Sequence, residues 1–225
     1  MSTLPPTQRQ RRSRSNNDDS TVRLSKALSY VLRHGAAKEG ISMRTDGYVR
    51  LNELLSLPRF KTASFEEIET IVKTNDKQRF SLINEVDETT GVATWWIRAN
   101  QGHTMNVEDL KLEAITDPAQ IPIVVHGTYL KNWQNIASQG LSKMRRNHIH
   151  FAVGLYGESG VISGMRADCD LFIYMNVQKA IADGIEIYRS ENNVILTPGK
   201  AGILSSEYFL KVVDRSGNVL LSNEK

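Results

Sequence analysis

Three short stretches carry side chains whose chemistry exceeds what a connecting loop needs. They are Arg33-His34-Gly35, Arg98 followed by Gln101-Gly102-His103, and Ser163-Gly164 followed by Arg166 and Asp168. Each sets a guanidinium at or just past the expected end of a regular element, and two add an imidazole. Arginines drawn together from distant parts of a chain would bind a multiply charged anion, because the planar fork matches phosphate oxygens two at a time. His34 could orient such an anion or handle a proton. Simpler readings exist for each stretch. Arg33 and His34 suit the C-terminal end of a helix, where the dipole favours cations, and Arg166 could pair with Asp168 or Asp170 on the surface.

Two further words stand between these. His126-Gly127-Thr128 ends the apolar run 121–125, and His148-Ile149-His150-Phe151 reads as a strand. Glycine permits close backbone approach to a ligand. Histidine and threonine supply donors and acceptors suited to ribose hydroxyls or an amide, and Thr128 also suits the N-cap of a helix expected at 130–139. His148 and His150 share one strand face. A zinc reading of that pair would need His103, His126, Cys169 or a carboxylate as a further ligand. No Cys-x-x-Cys or His-Glu-x-x-His spacing supports it, so no metal is expected. Ser163-Gly164 forms a donor-rich turn able to touch phosphate. Neither a Gly-x-Gly-x-x-Gly nor a P-loop motif is present.

The elements that must position these residues can be read from periodicity. Leu24, Ala27, Leu28, Val31 and Leu32 lie on one face of a helix that Gly35 would end, with Arg33 and His34 in its last turn. A second helix is expected at 51–57 and a third from Ser64, where Ser64 and Glu67 form a capping box. Strands at 79–86 and 92–98 make a hairpin, and of Trp95 and Trp96, on opposite faces, at least one should be core. Helices followed by a hairpin outline a winged helix. After Asp117-Pro118 short strands dominate, at 121–125, 148–152, 170–176, 185–189, 193–197 and 207–213. The expected organisation is therefore a basic tail (1–20), a winged-helix lobe (21–117) and a second α+β lobe (118–225).

Bulk properties fit this. The chain has 225 residues and a net charge of +3, and the tail's four arginines against two aspartates contribute +2 of it. Residues 1–20 have the composition of a disordered segment. The single cysteine, Cys169, rules out an internal disulfide. No apolar run reaches membrane-spanning length and the N-terminus lacks a secretory h-region, so a cytoplasmic or nuclear location is expected.

Together the Arg-His pair, the Arg98 and Gln-Gly-His stretch, His-Gly-Thr, His-x-His-Phe and the Ser-Gly-Met-Arg turn resemble the RNA 2′-phosphotransferase family, over 24–213. The resemblance implies an α+β protein with an N-terminal winged-helix lobe that binds RNA and a C-terminal lobe similar to ADP-ribosyltransferases. It implies an anion-binding set of Arg33, His34, Arg98 and Arg166. It assigns NAD, as co-substrate, to His126, Gly127, Thr128 and His150, with Ser163 and Gly164 alongside. The implied reaction moves the 2′-phosphate of RNA, in eukaryotes that of a tRNA splice junction, onto NAD. Nicotinamide leaves as an RNA–phospho–ADP-ribose adduct forms, and the ribose 2″-hydroxyl then attacks phosphorus, releasing RNA with a free 2′-hydroxyl and leaving ADP-ribose 1″,2″-cyclic phosphate. Guanidinium groups can serve such a step without a metal. Where many ADP-ribosyltransferases carry a glutamate on a later strand, the run Asn193-Val194-Ile195-Leu196 is aliphatic. A monomer is expected.

Deleting residues 1–20 should leave the chemistry intact and reduce only salt-dependent RNA affinity, since the stretch has no apolar face to pack. Single-turnover assays at saturating RNA and a salt titration of binding check this.

Overall fold

The computed structural model describes residues 20–86, 88, 91–158, 161 and 163–223. The expected tail therefore lies outside the described residues apart from Ser20, as do Asp87, Thr89 and Thr90 of the hairpin loop. Helices and antiparallel sheets occur together, an α+β architecture, in two compact units. One takes the chain up to Asn75 and again Phe80–Ala99; the other takes Asp76–Arg79 and everything from Asn100 onward. The expected boundary at Asp117-Pro118 falls too late. Leu112–Ala114 already pairs with Tyr188–Ser190, so the preceding chain folds with the second unit.

In the first unit, α1 (20–30) buries Leu28 and runs into a π-helical turn, Val31–Gly35, that buries Val31 and Leu32. Burying each of these three contributes about 1.5–3 kcal/mol. Gly35 is not the left-handed stop that its spacing suggests. The chain passes it in right-handed geometry, through Ala36 into a short 3-10 turn, and Gly40 at φ 73° ends the run. Gly35 is instead required by packing: a Cβ there would stand 2.7 Å from Tyr30 Cε1.

β1 (Val49–Arg50), α2 (Leu51–Ser56), α3 (Phe65–Thr74), β2 (Phe80–Val86) and β3 (Ala93–Ala99) complete the unit. The capping box forms as expected: Ser64 Oγ accepts from the Glu67 amide at 3.2 Å, and Glu67 Oε2 from the Ser64 amide at 2.9 Å. The strands order β1-β3-β2, with the β2–β3 hairpin in register from Phe80↔Ala99 to Val86↔Ala93. Neither tryptophan is core. Trp95 is 37% exposed and tilts against Phe65, while Trp96 faces the Arg44 and Arg50 guanidiniums at 4.9 and 5.3 Å. The buried β3 positions are Ile97, Arg98 and Ala99, at the end nearest the helices.

The second unit holds two four-stranded antiparallel sheets. One orders β4-β9-β10-β7, with β4 Leu112–Ala114, β7 Ile149–Phe151, β9 Tyr188–Ser190 and β10 Ile195–Thr197. The other orders β13-β12-β8-β5, with β5 Val125–Thr128, β8 Leu171–Met175, β12 Phe209–Asp214 and β13 Val219–Ser222. A two-stranded ribbon joins β6 (Leu141–Ser142) to β11 (Ile203–Leu204). Phe151, Ile195, Leu171, Ile173 and Phe209 form the centre of its core.

Three expectations shift here. The strand before the expected 130–139 helix is not 121–125: β5 starts at Val125 and includes His126, Gly127 and Thr128, because they pair with Ile173, Phe172 and Leu171. Thr128 is consequently a strand residue rather than an N-cap. The expected 130–139 helix is a 3-10 turn, Leu130–Asn132, leading into α4 (Trp133–Gln139). Last, α5 (Val177–Ala182) escapes the sequence reading; its N-cap Asn176 Oδ1 accepts from the Lys179 amide at 3.0 Å.

One glycine decides the shape of the chain next to β7. Gly164 has φ 112°, and a Cβ there would meet Ala152 Cα at 2.7 Å and Phe151 O at 2.8 Å. Gly157, at φ 93°, has nothing within 4 Å. Gly164→Ala should therefore destabilise by about 3 kcal/mol or more, strain plus backbone clash, against about 1 kcal/mol for Gly157→Ala. Equal Tm shifts in thermal melts would contradict this.

Candidate functional site

Within the first unit, Arg33 and His34 occupy the π-helical turn. Such wide turns recur at functional sites, because the extra residue re-aims the side chains around it. Arg33 is partly buried and His34 exposed, its ring 6.4 Å from that of Tyr30. Arg98 is differently placed. It is 3% exposed, donates from Nη1 to the Asp46 carbonyl at 3.0 Å and stacks 4.7 Å above Tyr48. Arg44 binds both Asp46 carboxylate oxygens from the same turn. Arg98 thus braces the Arg44–Tyr48 turn, and part of its fork is already spent on protein.

In the second unit the expected residues gather around the neighbouring strands β5 and β7. His126 Nδ1 lies 2.8 Å from the His150 carbonyl, and Val125 bridges Ala152. Burial first, then Arg146, push the His126 pKa down, partly offset by the His150 carbonyl. The ring is neutral at pH 7. The carbonyl can only accept, so Nδ1 carries the proton and Nε2 is left as an acceptor. Gly127 is needed by packing: a Cβ would stand 3.0 Å from both Cys169 Sγ and Met165 Cβ. Its bareness lets the Met165–Cys169 loop lie on the strand. Burial raises the Cys169 thiol pKa, so it packs as an inert small hydrophobe. Ser163 is buried, and Gly164 presses its turn flat on β7. Arg166 is exposed on the same loop. It donates from Nη1 to Tyr129 Oη at 3.3 Å, and that hydroxyl donates to Asp168 Oδ2 at 3.0 Å. Tyr129, then Asp168, hold the Arg166 pKa up.

Arg166 has cationic company that the sequence reading did not name. Arg146 is exposed to solvent at its surface, and partial burial first, then the Arg166 charge, lower its pKa. Lys77 is lowered by burial, then by Arg79, with Arg166 adding to it. Arg79 is lowered by burial, with Asp76 opposing. Lys77 Nζ donates to the Met165 carbonyl at 3.1 Å, which ties it to the loop under Gly127. The four cations are therefore linked in a chain of like-charge pairs, Arg79 to Lys77, Lys77 to Arg166 and Arg166 to Arg146, with Asp76 opposing at Arg79 and Asp168 at Arg166. A signal for them was present in the chain: Lys77-Gln78-Arg79 directly precedes one strand and Arg146 another, the same cation-at-an-element-end pattern as Arg33 and Arg166.

The Gln101-Gly102-His103 stretch is not an exposed turn. Asn100, Gln101 and His103 are all buried. His103, with His148, His150, Glu186 and Tyr188, lines a cavity of about 320 Å³. Burial, then Lys143, lower the His148 pKa, and Tyr188 meets its ring edge-on at 6.0 Å. Among the described residues no group of three or more His, Cys, Asp or Glu side chains is arranged to hold a metal ion. No helix among them is long and apolar enough to cross a membrane.

Comparison with known proteins shows the family. The model of the "RNA 2′-phosphotransferase, Tpt1 / KptA family" matches residues 19–199. The chain is 51% identical over 206 residues to the tRNA 2′-phosphotransferase 1 of Danio rerio, covering 89% of this chain and 90% of that one. It is 48% identical over 198 residues to the Homo sapiens protein of that name, covering 87% and 77%. A putative tRNA 2′-phosphotransferase of Schizosaccharomyces pombe is 50% identical over 200 residues, 89% of this chain but 53% of that longer one. With a family match over most of its length and relatives near half identity, the chain belongs to the RNA 2′-phosphotransferase family.

Proposed function

We propose that this protein is an NAD-dependent tRNA 2′-phosphotransferase. It moves the splice-junction 2′-phosphate to NAD, yielding 2′-hydroxyl RNA, nicotinamide and ADP-ribose 1″,2″-cyclic phosphate. The observation that carries this is the cluster of Lys77, Arg79, Arg146 and Arg166: Lys77 Nζ is tied to the Met165 carbonyl at 3.1 Å on the loop that packs against Gly127, Lys77 is repelled by Arg79 and Arg166, and Arg146 by Arg166. Like charges held together and partly out of water raise one another's energy. An anion with several charged oxygens relieves that cost, and the gain grows as charge builds on phosphorus. We read the unit with the β1-β3-β2 sheet as a winged-helix RNA-binding lobe and the unit with the two four-stranded sheets as an ADP-ribosyltransferase-like lobe.

The residues fit a dinucleotide co-substrate. His126 Nε2 offers an acceptor to a ribose hydroxyl, Thr128 and Ser163 are buried hydroxyls on adjoining segments, and the His150 ring belongs to the next strand. NAD supplies an already cationic leaving group, so expelling nicotinamide needs little acid help. In the first step the chain's task is to hold the RNA phosphate oxygen in line with C1″. Arg33 and His34 keep the role the resemblance implies, contact with the 2′-phosphate, His34 orienting it or carrying a proton. In the second step the 2″-hydroxyl attacks phosphorus and the RNA 2′-oxygen departs with a proton. Arg146 and Arg166, with Lys77 and Arg79, stabilise the oxygens on which charge develops. Arg98 contributes by bracing the Arg44–Tyr48 turn. The reading also takes the protein as a cytoplasmic or nuclear monomer.

The test is incubation with 2′-phosphorylated RNA, with and without NAD, in excess EDTA. Cyclic phosphate and nicotinamide should appear only with NAD and be unaffected by the chelator. A persistent RNA adduct with no cyclic product would instead mark an ADP-ribosyltransferase of another type.

Arg146→Ala should slow the second step by about 10²–10³ and let the adduct accumulate, a size typical of losing one preorganised donor. Arg98→Ala should chiefly lower stability, by about 1–3 kcal/mol for the lost stacking and charged hydrogen bond. Mass spectra of the RNA over time, beside thermal melts, separate the two effects.

His126 also generates a pH dependence. Its folded pKa lies below its ordinary 6.5, so its contribution is complete above about 6.5 and is lost as pH falls, when the unfolded chain binds the proton more readily. His148 has the same sign. His126→Asn, whose amide can replace the Nδ1 donor, should flatten the fall in Tm from pH 7 to 5.5 without abolishing it. An unchanged slope would show that His126 is charged in the folded protein.

A further inference from the structure

The segment Asp76–Arg79 belongs to the second unit although the chain on either side of it belongs to the first. It carries two of the four cations, and its conformation is not one it would choose. Gln78 has φ 42°, a left-handed geometry that a non-glycine residue adopts only when its surroundings impose it. Its three consecutive carbonyls are each taken. Lys77 O accepts from Asn192 Nδ2 at 2.9 Å, Gln78 O from Asn100 Nδ2 at 2.8 Å, and Arg79 O from the Asn100 amide at 2.9 Å.

Asn192 is the unusual member of this clamp. It sits at the tip of the β9–β10 hairpin, where a turn residue normally faces water, yet it is 0% exposed. Its Oδ1 faces the Ser190 hydroxyl at 2.9 Å, and the same hydroxyl accepts the Val194 amide at 3.1 Å. That orients the carboxamide, so Nδ2 must point at Lys77 O. Closing the hairpin does not require this bond: Ser190 and Val194, and Asn193 and Ser190, already pair through their backbones. The side chain is spent on a segment more than a hundred residues away.

We propose that Asn192, acting with Asn100, is a positioning residue for phosphate transfer. It holds Lys77-Gln78-Arg79 in a strained conformation that presents the Lys77 charge at the Arg166 loop, with the Arg79 charge next to Lys77. A carboxamide suits the task better than a carboxylate. An aspartate there would repel the Lys77 carbonyl, and its charge would neutralise the cations it is meant to present. The inference rests on the reading of the cation set as the phosphate site.

Asn192→Ala and Asn192→Asp, made in the full chain, test it against 2′-phosphorylated RNA and NAD. Both should slow transfer roughly ten- to a hundredfold, as misplaced reacting groups do, with the KM for NAD within about twofold of wild type and the RNA adduct accumulating. Adding Gln78→Gly to Asn192→Ala should recover part of the rate, because glycine holds φ 42° without steric cost. A role in stability alone would lower Tm, leave the ratio of the two steps unchanged and gain nothing from the glycine; that pattern, or wild-type rates, overturns the proposal. If wild type itself transfers no phosphate, the reading of the site fails on its own. The clamp is then decided by affinity for 2′-phosphorylated RNA, measured by fluorescence anisotropy. Asn192→Ala should weaken it about tenfold on the same grounds, and unchanged affinity would overturn the clamp.

Discussion

Like-charge repulsion is the constraint around which the second unit is organised. Lys77, Arg79 and Arg146 are each depressed by burial, and Arg166 acts against both Lys77 and Arg146. A fold built only for stability would interleave carboxylates. This one does so elsewhere: Arg44 pairs with Asp46 and Glu85, and Lys179 with Asp183 and Glu207. Beside β5 the balance is withheld. Asp168 reaches Arg166 through the Tyr129 hydroxyl rather than directly. The two opposing carboxylates, Asp76 and Asp168, are thus outnumbered by Lys77, Arg79, Arg146 and Arg166.

With carboxylates outnumbered among these cations, much of the positioning falls to neutral groups. Lys77 Nζ is tethered to a backbone carbonyl, Arg166 to a phenol, and the Asp76–Arg79 segment to two asparagines. His126 follows the same logic. Its Nδ1–H is bound to a carbonyl, so the ring stays neutral in a field that already disfavours another proton. Small residues set the distances. Gly127 admits the loop carrying Arg166, and Gly164 seats that loop's other end on Phe151 and Ala152.

Much of this was legible in the chain because its signals are local. The capping box at Ser64, the 80–86 and 93–99 hairpin and the β7 and β8 strands follow from side-chain periodicity and spacing. The words around His126, His150, Ser163 and Arg166 marked residues that do assemble around two adjoining strands. What failed were inferences in which one residue type serves two purposes. Gly35 was read for backbone freedom but serves side-chain packing, and Thr128 was read as a cap because strand pairing with Leu171 is invisible from its neighbours. Arg98 is not among these: it stands at a strand end as expected, and the structure adds that this end is interior, with Nη1 on the Asp46 carbonyl and the guanidinium over Tyr48.

Lys77, Arg79 and Arg146 were missed for a related reason. A lysine or arginine before a strand is ordinary in any sequence, and only the tertiary field distinguishes one that is desolvated among its own kind from one that is solvated. The residues that reveal the field are not the charged ones. Asn192 is buried at a hairpin tip and Gln78 is left-handed without being glycine, two local violations with no local benefit. Proteins tolerate such violations where function is at stake and compensate for them elsewhere. Here the compensation is traceable bond by bond: three consecutive carbonyls satisfied by two asparagines fix a segment whose own preferences would release it. The strain of Gln78 and the repulsion of Lys77 and Arg79 thus have a common origin, the need to bring positive charge where the rest of the fold would not place it.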